Sequence, residues 1–222
     1  MRGVQAAYVL CVGPVDDITV VRAGERWVVV EKPARVLSVP GKGAEKQACV
    51  ASWVRGRFPA ATGPLVVHRL DMDTSGLMVL ALDAEAQRDL SLQFEERRTE
   101  KAYVAVVSGH VEGEAGEINA PMRLDVERRP VQIIDPVQGR EAVTRWSVLA
   151  RDGQTTRLRL EPVTGRTHQL RLHCAHIGHP ILGDVLYGDG RSAERLMLHA
   201  AELGFWEPGG GEMVRVSSCA PF

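Results

Sequence analysis

Residues 68 to 75 hold six side chains able to do chemistry: His68, Arg69, Asp71, Asp73, Thr74 and Ser75. A carboxylate beside a guanidinium stays ionised at neutral pH, because an opposite charge within about 4–6 Å favours its charged form. An ionised carboxylate is a competent nucleophile, and Asp71 with Asp73 offers two of them. The same residues also suit an Asx or Ser/Thr turn in which Arg69 and Asp71 form a local ion pair. On this stretch alone both readings stand.

Other clusters narrow the chemistry. Asp71-Met72-Asp73-Thr74 superficially matches the pattern of aspartyl-phosphate phosphatases, which need a doubly wound parallel sheet and further acidic metal ligands. The later chain offers hairpins instead. Asp73-Thr74-Ser75-Gly76 echoes an aspartic-protease signature, which requires a second copy, and none exists. His168, His173, Cys174, His176 and His179 approach zinc-ligand spacing. No closing ligand pair follows, and Arg166 and Arg171 among them would repel a cation, so no metal is expected. Arg171 can reach inward to a carboxylate or outward to a phosphate, or simply be solvated. Tyr103 opens a strand after a charged run and reads as a core aromatic or a stacking platform.

The elements that must hold these groups follow from pattern. Leu65–Val67 and Leu77–Leu82 are uncharged aliphatic runs suited to buried strands on either side of the polar loop. Trp27–Glu31 reads as a strand ended by Lys32-Pro33, and Val36–Val39 as a short extended piece before the turn at Pro40–Gly43. Gln47–Phe58 carries helical spacing. Asp83 is placed to cap a helix over residues 84–97. Ala102–Val107 is a strand, and Ala142–Leu149 with Thr155–Leu160 forms a hairpin. Residues 121–141 read as an irregular basic connection. A helix from about Thr167 to Ile177 stops at Gly178 and Pro180, and Leu196–Leu203 with Met213–Val216 completes the sheet. The fold class expected is α/β of the α+β type, a mixed, mainly antiparallel sheet flanked by helices.

Composition sets the outer limits. The 222 residues carry 45% hydrophobic and 25% charged side chains and a net charge of −1, the profile of an ordinary globular protein. No apolar run approaches the roughly 20 residues of a membrane span, and Met1–Leu10 lacks the continuous apolar segment of a signal peptide. Cys11, Cys49, Cys174 and Cys219 are scattered, which fits free thiols in a reducing cytoplasm. The charge balance excludes a uniformly basic coat. Between Arg151 and His179, however, five Arg and four His face two acidic residues, a local patch of the sign that meets a phosphate backbone.

Taken together, the segments resemble the RluA family of RNA pseudouridine synthases. His68-Arg69-Leu70-Asp71-x-x-Thr74-Ser75-Gly76 matches its signature. Lys32-Pro33, Leu37–Gly41, Lys101-x-Tyr103-x-Ala105, Pro162–His173, Gly178–Asp184 and Leu196–Ala200 agree in the family's order. The resemblance runs from about residue 15 to the C-terminus. It implies a pseudouridine synthase fold with a central RNA-binding cleft, a single catalytic domain over 16–222 after an N-terminal extension at 1–15, and no S4-like domain. Asp71 is then the nucleophile toward uridine, Arg171 its ion-pair partner and Tyr103 the ring stacked on uracil. Arg69 fills the space of the flipped base, one of Leu196 and Leu198 walls the uracil, and His68, Arg166 and His168 belong to the RNA-facing groove. Within the family, the wording resembles the short dual-specificity member, which modifies a large-subunit rRNA hairpin and the tRNA anticodon stem-loop. Ala34-Arg35 departs from the pattern, standing where the family has a small residue and Gly.

The expected reaction needs no cofactor. Isomerising uridine breaks N1–C1′, turns the uracil over and joins C5 to C1′, with no redox or phosphoryl-transfer step. Attack at C6 of the ring and at C1′ both suit Asp71. The partner expected is RNA, rRNA or tRNA stem-loops, for a monomer in the cytoplasm with no membrane association. A catalytically silent RNA-binding or ribosome-assembly module is the alternative from a different class.

Overall fold

The computed structural model describes residues 14–222. The expected N-terminal extension therefore lies almost wholly outside the described residues, as do Cys11 and the Met1–Leu10 segment. In chain order the elements are β1 (Thr19–Ala23), β2 (Trp27–Lys32), α1 (Val50–Arg57), β3 (Ser75–Ala81), α2 (Ala84–Glu95), β4 (Glu100–Ser108), β5 (Ala115–Asn119), β6 (Met122–Leu124), β7 (Gln132–Ile134), β8 (Val143–Arg151), β9 (Thr155–Pro162), α3 (Gln169–His176), β10 (Leu198–Trp206) and β11 (Met213–Ser217).

One sheet runs in the order β1-β2-β3-β10-β4-β9-β8-β5, with β11 added to the far half of β10. Every pairing is antiparallel except β3 with β10, which meet in parallel only at Ser75–His199 and Gly76–Ala200. The expected mixed, mainly antiparallel α/β architecture is what the chain adopts. β6 and β7 form a separate two-stranded ribbon, so residues 121–141 contain regular pairing where an irregular connection was expected.

The strands sort side chains by alternation. Val28, Val30, Met78 and Leu80 turn one way and pack with Val50 and Val54 of α1. Val29, Leu77 and Val79 turn the other way onto Ala86 and Leu90 of α2. Across β4, β9 and β10, Ala105, Leu158, Leu160 and Leu198 pack with Leu170 and Cys174 of α3, and Tyr103 touches both this cluster and that of α1. Thus α1 and α3 share one face of the sheet, and α2 covers the opposite one.

Helix starts follow local chemistry. Asp83 accepts hydrogen bonds from the N–H groups of Glu85 and Ala86, capping α2 as expected. Cys49 and Ser52 cap α1 reciprocally through side chain and backbone. Two expectations are corrected. Leu65–Val67 is not a strand of the sheet: only Val66 bridges to Leu80. The Ala81 N–H reaches the Leu65 carbonyl, but the next inward donor, Val79 N–H, is taken by the His68 imidazole, so the chain turns away. The last helix is shorter than expected and begins at Gln169, because His168 sits in the left-handed region at φ 56°.

Candidate active site

The polar loop ends where β3 meets β10. Gly76 has φ +117°, and a Cβ there would lie 2.4 Å from the Ala200 carbonyl oxygen. Only glycine permits this close approach of two backbones. It brings the Asp71 loop beside the strands that carry Tyr103 and Leu198.

Peptide groups on both sides of Asp71 are pinned from below. The Ser38 hydroxyl donates to the Leu70 carbonyl at 2.7 Å and accepts from the Leu70 N–H at 3.1 Å. Buried Lys32 donates through Nζ to the carbonyls of Pro33, Val36 and Met72 at 2.8–2.9 Å. Burial pulls its pKa down to about 7, with Asp73 and Asp71 opposing. The Thr74 N–H closes the turn onto the Asp71 carbonyl at 3.1 Å. Lys32 and Ser38 were visible in the sequence only as parts of matching segments. Their work is done by backbone partners, which sequence does not display.

Above the loop stands Arg171, 2% exposed. Its Nε and Nη2 donate to the two carboxylate oxygens of Asp184, both at 2.7 Å, while Nη1 faces Asp71 Oδ2 at 3.7 Å. The two nearest cation–anion pairings of Arg171 are therefore unequal, and the tighter one is with Asp184. Asp184 also accepts the N–H groups of Leu186 and Tyr187. Gly183 at φ +71° lets this turn lie against the Arg195 carbonyl, 2.0 Å from where a Cβ would sit. Asp184 had no role assigned from sequence. A buried arginine on a short helix, needing a second anion, is the signal that could have found it.

A cleft of about 750 Å³ opens over Asp71, lined by Arg69, Tyr103, His168, Arg171 and Leu198 among others. Tyr103 stands opposite Leu160 and Ala200, on the sheet face that α3 covers. Burial, and to a smaller degree the Asp71 charge, pushes its phenol pKa well above the usual value, so it stays protonated. Leu198 lines the cleft, whereas Leu196 is buried in the core cluster under α3. Arg69 is exposed and, among the described residues, makes no side-chain hydrogen bond.

The remaining sequence-selected groups divide. His68 lines the cleft, yet its Nε2 accepts the Val79 N–H at 3.1 Å and its ring stacks on Phe94 at 4.4 Å. Burial depresses its pKa to about 3, so it is a neutral brace. Arg166 is exposed at the rim with Nε donating to the Glu141 carbonyl. The single Arg/His patch expected between residues 151 and 179 does not form. Arg157 and Arg159 alternate with buried Leu158 and Leu160, which places them on the opposite sheet face, where Arg159 pairs with Glu202. Arg151 binds Glu114. His173 is buried between Thr144 and the Ala120 carbonyl, and His176 is exposed. Among the described residues no cluster of three or more metal-ligating side chains occurs, and no helix is long and apolar enough to cross a membrane. The cationic rim is instead assembled from several elements: Arg69, Arg97, Lys101 and Arg166.

A half-buried carboxylate near a tyrosine, inside a cleft rimmed by cations, suits an enzyme that handles a nucleobase. The family model described as RNA pseudouridylate synthase matches residues 26–176. The chain is 46% identical over 198 residues to the dual-specificity RNA pseudouridine synthase RluA of Haemophilus influenzae, covering 87% of this chain and 89% of that one. To the protein of the same name from Escherichia coli strain K12 it is 41% identical over 200 residues, covering 88% and 90%. Among solved structures, human RNA pseudouridylate synthase domain containing 1 superimposes with a TM-score of 0.77 at 32% identity, covering 95% and 86% of the two chains. Human RNA pseudouridylate synthase domain containing 4 gives 0.70 at 25%, covering 91% and 88%. The fold and the matches define an RNA pseudouridine synthase. Within that class, the chain belongs to the RluA family.

Proposed function

We propose that Asp71 is the nucleophile that isomerises uridines in structured RNA, a large-subunit rRNA hairpin, a tRNA anticodon stem-loop, or both. The observation that carries this reading is the Asp71 carboxylate in the cleft, held at 3.7 Å from an Arg171 that Asp184 has already oriented. A fixed cation aims the carboxylate without reorganisation during the reaction. Similarity to two dual-specificity relatives over most of their length supports the choice of RNA.

A stacked uridine is out of reach, so the base must leave the helix, at a cost of a few kcal/mol. Tyr103 stacks on the extruded uracil, returning about 1–3 kcal/mol, with Leu198 as the apolar wall. Arg69, exposed and free of side-chain bonds among the described residues, enters the vacated space. Arg97, Lys101 and Arg166 meet the backbone phosphates. The protein works as a cytoplasmic monomer whose single catalytic domain spans residues 16–222.

The test is tritium release from RNA labelled at uracil C5, coupled to mapping of pseudouridines in rRNA and tRNA with and without the gene. Loss of one defined set of sites, restored by the wild type and not by Asp71→Asn, is the expected result. Restoration by Asp71→Asn would remove the nucleophile assignment.

A further inference from the structure

The two oxygens of Asp71 are not faced alike. Oδ2 looks to Arg171, and Oδ1 looks to His168 Nε2 at 4.0 Å. On the other side of the imidazole, Nδ1 lies 2.9 Å from the Tyr187 hydroxyl. That hydroxyl already accepts the backbone N–H of Gln132 at 2.8 Å. With an N–H directed at its oxygen, the phenol has its own proton to give, and Nδ1 at 2.9 Å is placed to accept it. The imidazole proton is left on Nε2, pointing at the nucleophile.

Four further observations fit this arrangement. His168 holds φ 56° and ψ 17° at the start of α3, a conformation that a non-glycine residue keeps only when its surroundings impose it. Burial lowers the His168 pKa below the usual imidazole value, with Asp71 opposing, so the ring is a neutral donor. Burial also raises the Tyr187 pKa to about 12, so the phenol keeps its proton. Tyr187 in turn lies under the Arg171 guanidinium at 5.5 Å and edge-on to the His168 ring at 5.7 Å. One phenol thus braces both groups that address Asp71.

We propose that His168 is a positioning residue for Asp71: its Nε2–H, 4.0 Å from Oδ1 here, closes to a hydrogen bond in the substrate complex, in a tautomer set by Tyr187 and the Gln132 backbone. The inference rests on Asp71 being the nucleophile. Its logic is electrostatic. Arg171 is held chiefly by Asp184 and addresses only Oδ2, which leaves Oδ1 to the imidazole. A neutral N–H fixes the plane of the carboxylate while leaving its charge available for attack.

The backbone strain supplies a discriminating test. Asn is among the few non-glycine residues that visit the left-handed region readily, but its short amide cannot carry a donor to the Nε2 position. Gln can reach that position but is less suited to the backbone. The probe is total RNA, tritiated at uracil C5, from a strain lacking this gene, with kcat and KM read from tritium release. His168→Asn should keep or raise the melting temperature and lower kcat about 10- to 100-fold, the effect of one hydrogen bond to a charged group, with KM little changed. His168→Gln should recover most of the rate, and Tyr187→Phe should lower kcat in the same sense. A kcat for His168→Asn within about twofold of wild type, or a loss confined to KM, or equal loss in Asn and Gln, would overturn the proposal. Asp71→Asn run alongside separates the two readings. Full turnover by that variant would overturn the nucleophile assignment, whereas its silence with an active His168→Asn would overturn this inference alone.

Discussion

Arg171 gives two of its three guanidinium nitrogens to Asp184 and only the third, at 3.7 Å, to Asp71. The stronger ion pair is therefore a support, and the weaker one faces the cleft. A buried carboxylate with that duty cannot be removed quietly. Asp184→Ala leaves a guanidinium that is 2% exposed without its main partner, a loss of about 3–5 kcal/mol. Urea unfolding should register it. Asp184→Asn keeps one acceptor and should lose less stability but still at least about tenfold in kcat, because Arg171 is freed to swing onto Asp71. Wild-type turnover in Asp184→Asn would mean that Arg171 needs no anchor.

Lys32 offers a second handle on the same loop. Its three carbonyl partners include that of Met72, next to Asp71. Lys32→Met preserves the length of the stem and deletes every one of those bonds, so about 2–4 kcal/mol of stability should go with the orphaned carbonyls. Crystals of the variant, or amide exchange in residues 70–74, should show a loosened loop. An unchanged loop would sink the idea that the lysine holds it.

Arg35 sits at φ 65° and donates to the Glu194 carbonyl at 2.7 Å. This is the position where the family pattern has Gly, and the backbone explains why. Relief of about 1–2 kcal/mol of left-handed strain competes with one exposed hydrogen bond and the entropy of glycine, each about 0.5–1 kcal/mol. Arg35→Gly should therefore melt at or slightly above wild type. Arg35→Ala, which loses the bond and keeps the strain, should melt below it. Differential scanning calorimetry of the three proteins gives the ranking, and Ala above Gly would contradict it.

Buried His199 and half-buried His68 set an acid limit. Burial, with Lys101 adding, holds His68 at about 3, and burial, with Arg195 and Arg157 adding, holds His199 at about 4. Both lie below the unfolded value of 6.5, so the unfolded chain binds more protons than the folded one throughout that window. Stability should then fall as pH drops below 6.5, approaching about 1.4 kcal/mol per pH unit for each ring. His68→Gln still offers an oxygen to the Val79 N–H and does not titrate. Its stability should depend on pH less steeply by about one proton. Denaturant curves between pH 7 and 4.5 test this, and parallel slopes for the two proteins would refute it.

Much of this was legible in the residues themselves. Period-two burial in β9, the Asp83 cap and the Gly178 stop follow from local rules, and the helices and strands they bound appear within a few residues of expectation. Asp71, Tyr103, Arg171 and Leu198 were all selected, and the fold gathers them around one cleft. What escaped was relational. The strand expected at Leu65–Val67 failed because a side chain, His68, took the donor that a neighbouring strand would have used. The basic patch dissolved because alternation sends Arg157 and Arg159 to the far side of the sheet. Asp184, Tyr187, Lys32 and Ser38 act through partners distant in sequence, and no local pattern announces such pairs.

The two-residue parallel contact between β3 and β10 divides the groups around the cleft by order of synthesis. Everything through β3, including Asp71, precedes the contact, whereas Tyr103, His168, Arg171 and Asp184 all come later in the chain. A growing polypeptide therefore displays the loop carboxylate well before any of its partners exists. β10, the strand that closes the seam, is also among the last to be made. The cleft around Asp71 is therefore complete only once nearly the whole described chain has been made.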